Sequence, residues 1–453
     1  MTKIDFLITR DRCRSKEGNI RDINLVKTFL KKGYSCGMIS SCQLIHSQLK
    51  KDGIFSVQML KTIKIPSKLE NIEERAERIE KEYNIPSLKR FIFPEKCYNN
   101  EDEGYLFRKA IIYFEELEKL FNRIEVKCLI QGQGGQINIR ALYFIAKKRG
   151  IPVIYFAEHL FPNKILLFPD EMKTLDRFKN ISWTEMTDRQ REEIEEYLRQ
   201  FRNRQGVFTD ILAFAKKDDI IRGFISLQEY LKNKKFQGLI AAFIRKFKQG
   251  IFRTFNKFFS SFLYQNSIKD EKFIYFPLHV PDDCQITLRN LHFFDQAVLA
   301  LYMARSLPFG YKLYIKEHPG NFISVQTKTK LIQEKNIILL HPSLNSHQII
   351  KKSQAIITIN STVGFEALHY FKPVIVLGNW NLRGRGATID VQDLSKLDEA
   401  IRFALQKIID PNKIKAFLFS FKESMYEGDA MAPVMDYDKI ADLLIDYKKN
   451  MKK

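Results

Sequence analysis

An α/β fold of two parallel-sheet domains, with a helical, basic segment bridging them, is what the sequence predicts. Three observations lead there. Short apolar runs alternate with helical patterns over two separate stretches, and such alternation builds parallel sheets. Between the stretches, residues from about 185 to 265 are helix-prone and basic. At 453 residues the chain is long for one core, and 45% hydrophobic with 13% aromatic residues suffice for two. The expected division is 1–184, 185–268 and 269–453.

In the first stretch, Ile4 to Ile8 reads as a buried strand and Ile23 to Lys31 as a helix ending before Gly33. Ile63 to Asn84 is charged and helix-prone, and Tyr105 to Leu120 continues with helical periodicity. A strand at Val126 to Ile130 runs into Gln131-Gly132-Gln133-Gly134-Gly135. The helix Asn138 to Arg149 stops at Gly150, and after Pro152 comes a buried strand, Val153 to Phe156.

The second stretch begins at Lys272. Its strands are expected at Phe273 to Phe276, Lys312 to Ile315, Ile337 to Leu340, Ala355 to Ile359 and Val374 to Leu377. Helices are expected at Leu291 to Arg305, Ser346 to Lys352 and Val363 to Tyr370.

The balance of 74 Lys plus Arg against 53 Asp plus Glu leaves +21, which favours anionic partners. No nucleic-acid motif accompanies the charge, so a specific nucleic-acid partner is not expected. Cys13, Cys36, Cys42, Cys97, Cys128 and Cys284 are scattered, and all six are expected as reduced thiols. The N-terminus carries charges where a signal peptide has its apolar run, and nowhere do 18 apolar residues run together. A cytoplasmic location is the expectation.

Ligands of open parallel sheets bind beyond the carboxyl ends of the strands. In the second domain this selects Pro277-Leu278-His279, Lys316-Glu317-His318-Pro319-Gly320, His341-Pro342-Ser343, Gly378-Asn379 and, with Val363-Gly364 beyond it, Asn360-Ser361-Thr362. The latter sits where a strand becomes a helix, so its hydroxyls and amides can hold a phosphate, or simply cap the helix. Glu366 lies one turn beyond Thr362 on the same face, where a carboxylate can accept ribose hydroxyls. Lys316 and His318 would supply positive charge to a phosphate leaving group, with Pro319 fixing the loop. His279, Asp282 and Asp283 are expected in an exposed turn. No Asp-x-Asp or spaced His/Cys cluster indicates a metal site.

Tyr-Ile-Lys-Glu-His-Pro at 314–319, followed by Ile-Thr-Ile-Asn-Ser-Thr-Val-Gly-Phe-Glu-Ala-Leu and Lys-Pro-Val-Ile-Val-Leu-Gly, resembles the bacterial capsule polysaccharide biosynthesis family, which includes Kdo transferases. The resemblance is strongest over about 272–380 and rests, in the first half, on Gln131 to Arg140 and Glu158 to Asp170. It implies two Rossmann-like domains in a GT-B arrangement and a glycosyltransferase acting in capsule or surface-polysaccharide biosynthesis and export. The donor nucleotide would sit on the C-terminal domain, at His318, Pro319, Ser361 and Thr362, and CMP-Kdo is the donor implied first. No tightly bound cofactor is expected.

A catalytic carboxylate or histidine is then needed on the N-terminal domain. Glu158 directly follows a strand, with His159 adjacent and Asp170 shortly after. Gln133 and Arg140 are the acceptor-side candidates, for a glycan or lipid-linked acceptor. Ile244, Phe247, Ile251, Phe255, Phe258 and Phe262 recur at helical spacing between basic residues, so 236–264 reads as an amphipathic helix that docks on the protein's own core or on the anionic inner face of the membrane. The alternatives are a non-catalytic assembly or export component with a GT-B shell, and a UDP-sugar epimerase.

Overall fold

The structure is a computed structural model that describes residues 1–11, 16–59, 63–99, 101–158, 161, 163–170, 175, 177–203, 261–318, 323–428 and 436–451. Two compact units divide the chain: 1–177 with 422–453, and, of the remaining described residues, 178–203 with 261–421.

The first unit carries β1 (Thr2–Ile4), β2 (Phe6–Arg10), β3 (Cys36–Ser40), β4 (Ser56–Gln58), β5 (Ile124–Val126), β6 (Leu129–Gln131), β7 (Val153–Glu158) and β8 (Lys164–Phe168). The second carries β9 (Phe273–Pro277), β10 (Lys312–Lys316), β11 (Ile337–Leu340), β12 (Ala355–Thr358), β13 (Val374–Val376) and β14 (Ile389–Asp390). A last strand, β15 (Tyr426–Glu427), returns to the first.

In the first unit the strand order is β15-β8-β7-β6-β2-β3-β4. From β4 to β7 all pairings are parallel, as the alternation predicts. At β8 the direction reverses. Five residues separate β7 from β8, too few for a parallel crossover, so the pair closes as a hairpin. Asn163 makes that turn with φ 57, a conformation asparagine tolerates. The single strand expected over Ile4 to Ile8 is also two strands. Asp5 interrupts it, accepting both the N–H and the O–H of Ser35, and β1 pairs with β5 instead.

The final helix, Tyr437–Asn450, also belongs to the first unit. Its apolar stripe of Ile440, Ala441, Leu444 and Ile445 joins Phe6, Leu25, Val26 and Phe29 in one core. Assigning all of 269–453 to the second domain is therefore corrected at 422–453: four apolar side chains on one helical face require burial, and the first sheet supplies the surface. A second correction concerns Cys42, which is disulfide-bonded, whereas Cys36, Cys128 and Cys284 carry free thiols.

The second unit has the order β11-β10-β9-β12-β13-β14, parallel throughout. Counted from β9, that is the 3-2-1-4-5-6 order of doubly wound nucleotide-binding sheets. Register places Tyr275, Tyr314 and Lys316 on one face and Ile274, Phe276, Leu313 and Ile315 on the other. The apolar face meets the helices Gln296–Arg305 and Leu397–Gln406 in a core. Gly364 seats the helix Thr362–Leu368 on the opposite face, against Thr358 and Val374.

The described part of the expected bridge contains the helix Asp188–Asn203, docked in the second unit, and residues 261–268, of which Gln265 bridges to Leu340. Phe201 stacks on the buried His369 ring at 3.9 Å, and Tyr197 Oη lies 2.9 Å from its Nε2. Burial pulls His369 down to about 3, so the ring is neutral. Of the segment 236–264, residues up to 260 lie outside the described residues. Among the described residues no helix is long and apolar enough to cross a membrane.

Candidate functional site

The order of the second sheet reverses between β9 and β12, and the loops leaving these strands flank the crevice where doubly wound sheets bind ligands. Here His279 and Asn360 meet. The Asn360 N–H donates to His279 Nε2 at 3.1 Å, and His279 Nδ1 lies 3.3 Å from Asp283 Oδ2. His279 is buried, not in an exposed turn as expected; the Gln296 side chain holds its backbone N–H and C=O. Burial pushes the Asp283 carboxyl up, but the hydrogen bond and charge of His279 and the Gln285 N–H leave it below its ordinary value.

Asn360 Nδ2 donates to Gln285 Oε1, and the buried Asn290 accepts the N–H of Asn379 from the loop after β13. Gly378 in that loop is required by close approach: a Cβ there would lie 2.5 Å from Asn360 Oδ1 and 2.7 Å from the Ile359 carbonyl. Gly378→Ala is expected to cost about 1–3 kcal/mol through displacement of the 359–362 backbone, measured by urea denaturation.

Ser361 caps the following helix, its Oγ accepting from the Val363 N–H at 3.3 Å, while its own N–H goes to Thr358 Oγ1. These amides are spent inside the loop, so the helix terminus offers less to a phosphate than expected. The Ser361 hydroxyl proton can still be donated outward. Gly364 is buried and takes a packing role: a Cβ would meet Thr358 Cγ2 at 2.7 Å.

On the face covered by the helices Ser346–Lys352 and Thr362–Leu368 lies a buried polar group. Lys316 Nζ donates to Ser346 Oγ at 2.7 Å, and the Tyr275 hydroxyl shares that serine. Glu366 takes a hydrogen bond from Thr362, confirming the shared helical face, and is 4% exposed. Burial raises Glu366 to about 7 and lowers Lys316 to about 8, each moderated by the other's charge. Sequence reasoning missed Tyr275 and Ser346, which read as an apolar strand residue and a helix start.

His318 follows Lys316 and is exposed; partial desolvation, with the charge of Lys316, holds its imidazole below the ordinary range. Pro319 lies outside the described residues. Glu317 turns inward, where Lys328 Nζ at 3.1 Å, the Tyr264 hydroxyl at 2.8 Å and the Ile323 N–H at 2.9 Å meet it. It thereby ties both ends of the His318 loop to the core.

In the first unit, Glu158 ends β7 at the carboxyl edge, whereas His159 lies outside the described residues. Asp170 is corrected. Because β8 runs antiparallel, Ile165 is opposite Glu158 and Asp170 is five residues farther, at the other end of the hairpin, roughly 16 Å away. There it accepts from the Tyr143 hydroxyl at 2.6 Å and pairs with Lys147.

Arg140 is buried. It donates to the Phe91 carbonyl and lies over the Phe91 ring, which commits it to helix packing instead of an acceptor. Gln133 is half-buried in the glycine loop. Gly135 serves packing, since a Cβ would lie 2.5 Å from Pro94 Cβ. The N–H of Ile137, opening the next helix, is taken by Glu95 at 2.7 Å. Among the described residues no group of three or more His, Cys, Asp or Glu is placed to hold a metal.

Residues 192–408, just under half of the chain, match the family model described as capsule polysaccharide biosynthesis protein. That stretch includes Lys316, His318, Ser361 and Glu366 and excludes Glu158, Asp170, Gln133 and Arg140. The chain is 27% identical over 166 residues to Protein FixF of Sinorhizobium fredii (strain NBRC 101917 / NGR234), covering 34% of this chain and 38% of that protein. The matched part thus spans well under half of that relative. Among solved structures it is similar to Thermosulfurimonas dismutans KpsC, beta Kdo 2,7 transferase, with 12% identity, TM-score 0.38 and coverage of 98% of this chain and 99% of that one. It is also similar to the UDP-GlcNAc 2-epimerase from Methanocaldococcus jannaschii, at 13% identity and TM-score 0.26, covering 99% and 100%.

Proposed function

We propose, taking residues 192–408 as a capsule polysaccharide biosynthesis module, that this protein is a glycosyltransferase using a nucleotide-activated sugar. One observation carries the reading: a buried lysine, an exposed histidine and an outward-free serine hydroxyl belong to carboxyl-edge loops of a sheet with nucleotide-binding strand order. An ammonium desolvated beside a site offsets developing phosphate charge far better than one in water. Lys316 fits that task, with His318 and Ser361 donating to the same phosphate.

CMP-Kdo is the donor this reading names first, on the His-Pro and Ser-Thr motifs. Glu158 is assigned the deprotonation of an acceptor hydroxyl on a glycan or lipid-linked chain. The segment 236–264, apart from Tyr264, which packs on the second core with its hydroxyl on Glu317, is assigned to the anionic inner face of the membrane, where such acceptors are elongated.

Calorimetric titration of the full chain with CMP, UDP and GDP tests the donor class. Binding of CMP alone, weakened at least tenfold in His318→Ala and in Ser361→Ala, is the expected result. Binding of UDP or GDP instead removes CMP-Kdo, and UDP-GlcNAc conversion without acceptor would make the protein an epimerase. With no nucleotide bound, the protein is a non-catalytic assembly component.

A further inference from the structure

We infer that His279 is a positioning residue that holds the Asn360-Ser361-Thr362 loop only while its Nε2 is unprotonated, making the donor site proposed above sensitive to acid. The inference rests on that donor-site reading for its functional consequence, and on hydrogen-bond geometry for its mechanism.

A backbone N–H can only donate, so the Asn360 amide at 3.1 Å requires a lone pair on His279 Nε2. The ring proton then sits on Nδ1, 3.3 Å from Asp283 Oδ2. The ring has little room to swing away, because its side chain is 4% exposed and Gln296 holds the His279 backbone at 2.8 Å and 3.2 Å. A proton on Nε2 would set two N–H donors head to head in a buried place. What gives way is the loop, since Asn360 is otherwise held there through its side-chain amide, at 3.4 Å from Gln285.

Among the described residues, charged groups around the ring come from its own loop and from the end of one neighbouring strand. They are Asp283, and His318 beyond β10 with Lys316 behind it. Residues 360–362 after β12 contribute no charge, and Arg289 is directed to Cys284 and Trp380. A proton on Nε2 therefore leaves the contact of Nδ1–H with Asp283 in place and removes the Asn360 one. The loop bearing Ser361 pays the difference.

Glutamine separates the two roles, because its Oε1 accepts the same N–H and does not titrate. Hydrogen exchange of peptides covering 356–365, read by mass spectrometry on the full ligand-free chain, needs no nucleotide. After correction for intrinsic rates, protection in the wild type is expected to fall about tenfold between pH 7.5 and 5.5, one buried hydrogen bond being lost. His279→Gln should hold it at both values, and His279→Ala should lack it at both. Peptides covering 312–316 should remain protected in all three, which distinguishes loop release from unfolding.

Equal acid responses in wild type and His279→Gln would overturn the clamp. In CMP titrations the part of the acid-side loss that disappears in His279→Gln belongs to His279, because His318 is unchanged. If the exchange pattern appears but no nucleotide binds, the donor reading falls and the clamp stands. Nucleotide binding with the same pH profile in both proteins would do the reverse.

Discussion

Replacing Glu317 by alanine is expected to lower the unfolding free energy of the second unit by about 3–5 kcal/mol, the cost of leaving a buried charge unpaired. Lys328 is fully buried and its side chain meets Glu317 at 3.1 Å, with exposures of 0% and 2%. Burial pulls Lys328 below and pushes Glu317 above their ordinary values, so each ion is tolerated only because the other is present. Alanine also frees the Ile323 N–H and the Tyr264 hydroxyl. Urea denaturation of the full chain would measure the loss. Glu317→Gln should lose less, since an amide keeps part of the network. The double replacement Glu317→Leu with Lys328→Met should lose much less than Glu317→Ala, because it removes both charges together. A loss under about 1 kcal/mol in Glu317→Ala would mean that the pair is solvated, as exposed pairs are.

Lys316→Met is expected to slow sugar transfer by about 10²–10³-fold, the range seen when one preorganised donor to a developing anion is removed. The fold itself should not suffer. Burial lowers the Lys316 ammonium from 10.5 to about 8, so holding that charge in the folded state costs stability at all pH values below about 8, and the cost is relieved as pH rises toward 10.5. Methionine removes the cost, and at pH 7 the variant should be no less stable than the wild type by urea denaturation. Activity follows the opposite course. The charged amine is the useful form, so transfer should fall as pH rises through about 8. Glu366→Gln deletes the negative charge that supports the ammonium, moving that alkaline limb to lower pH. Lys316→Arg, which stays charged, should lack the limb even if its rate is reduced by a poorer fit to Ser346. An alkaline limb that survives in Lys316→Arg would assign it to another group.

Much of the architecture was legible because the relevant signals are local. Ile337–Leu340 and Ser346–Lys352 have the bounds their patterns predict, and Asn345 and Ser361 cap helices where short polar residues precede apolar spacing. The Lys316-Glu317-His318 and Asn360-Ser361-Thr362 stretches stand at strand ends, as alternation requires. Less legible was the use to which polar residues are put. Arg140 and Asp170 look like site residues in a sequence, since charge near a strand end is all that a sequence displays. Their partners, Phe91 and Tyr143, lie 49 and 27 residues away.

By itself, then, the sequence determined two alternating stretches, the strand-end loops that carry the phosphate-binding candidates, and a resemblance concentrated in the second half. Periodicity and short motifs suffice for these because they depend on residues within a few positions of one another. Tertiary structure alone decided that β8 runs backward and so separates Asp170 from Glu158, and that residues 437–450 complete the first core. It alone joined His279 to Asn360 across 81 positions and buried Lys316 with Ser346 and Glu366. Strand direction, desolvation and hydrogen-bond partnership are properties of neighbours in space, and in an open sheet those neighbours come from strands far apart in the chain.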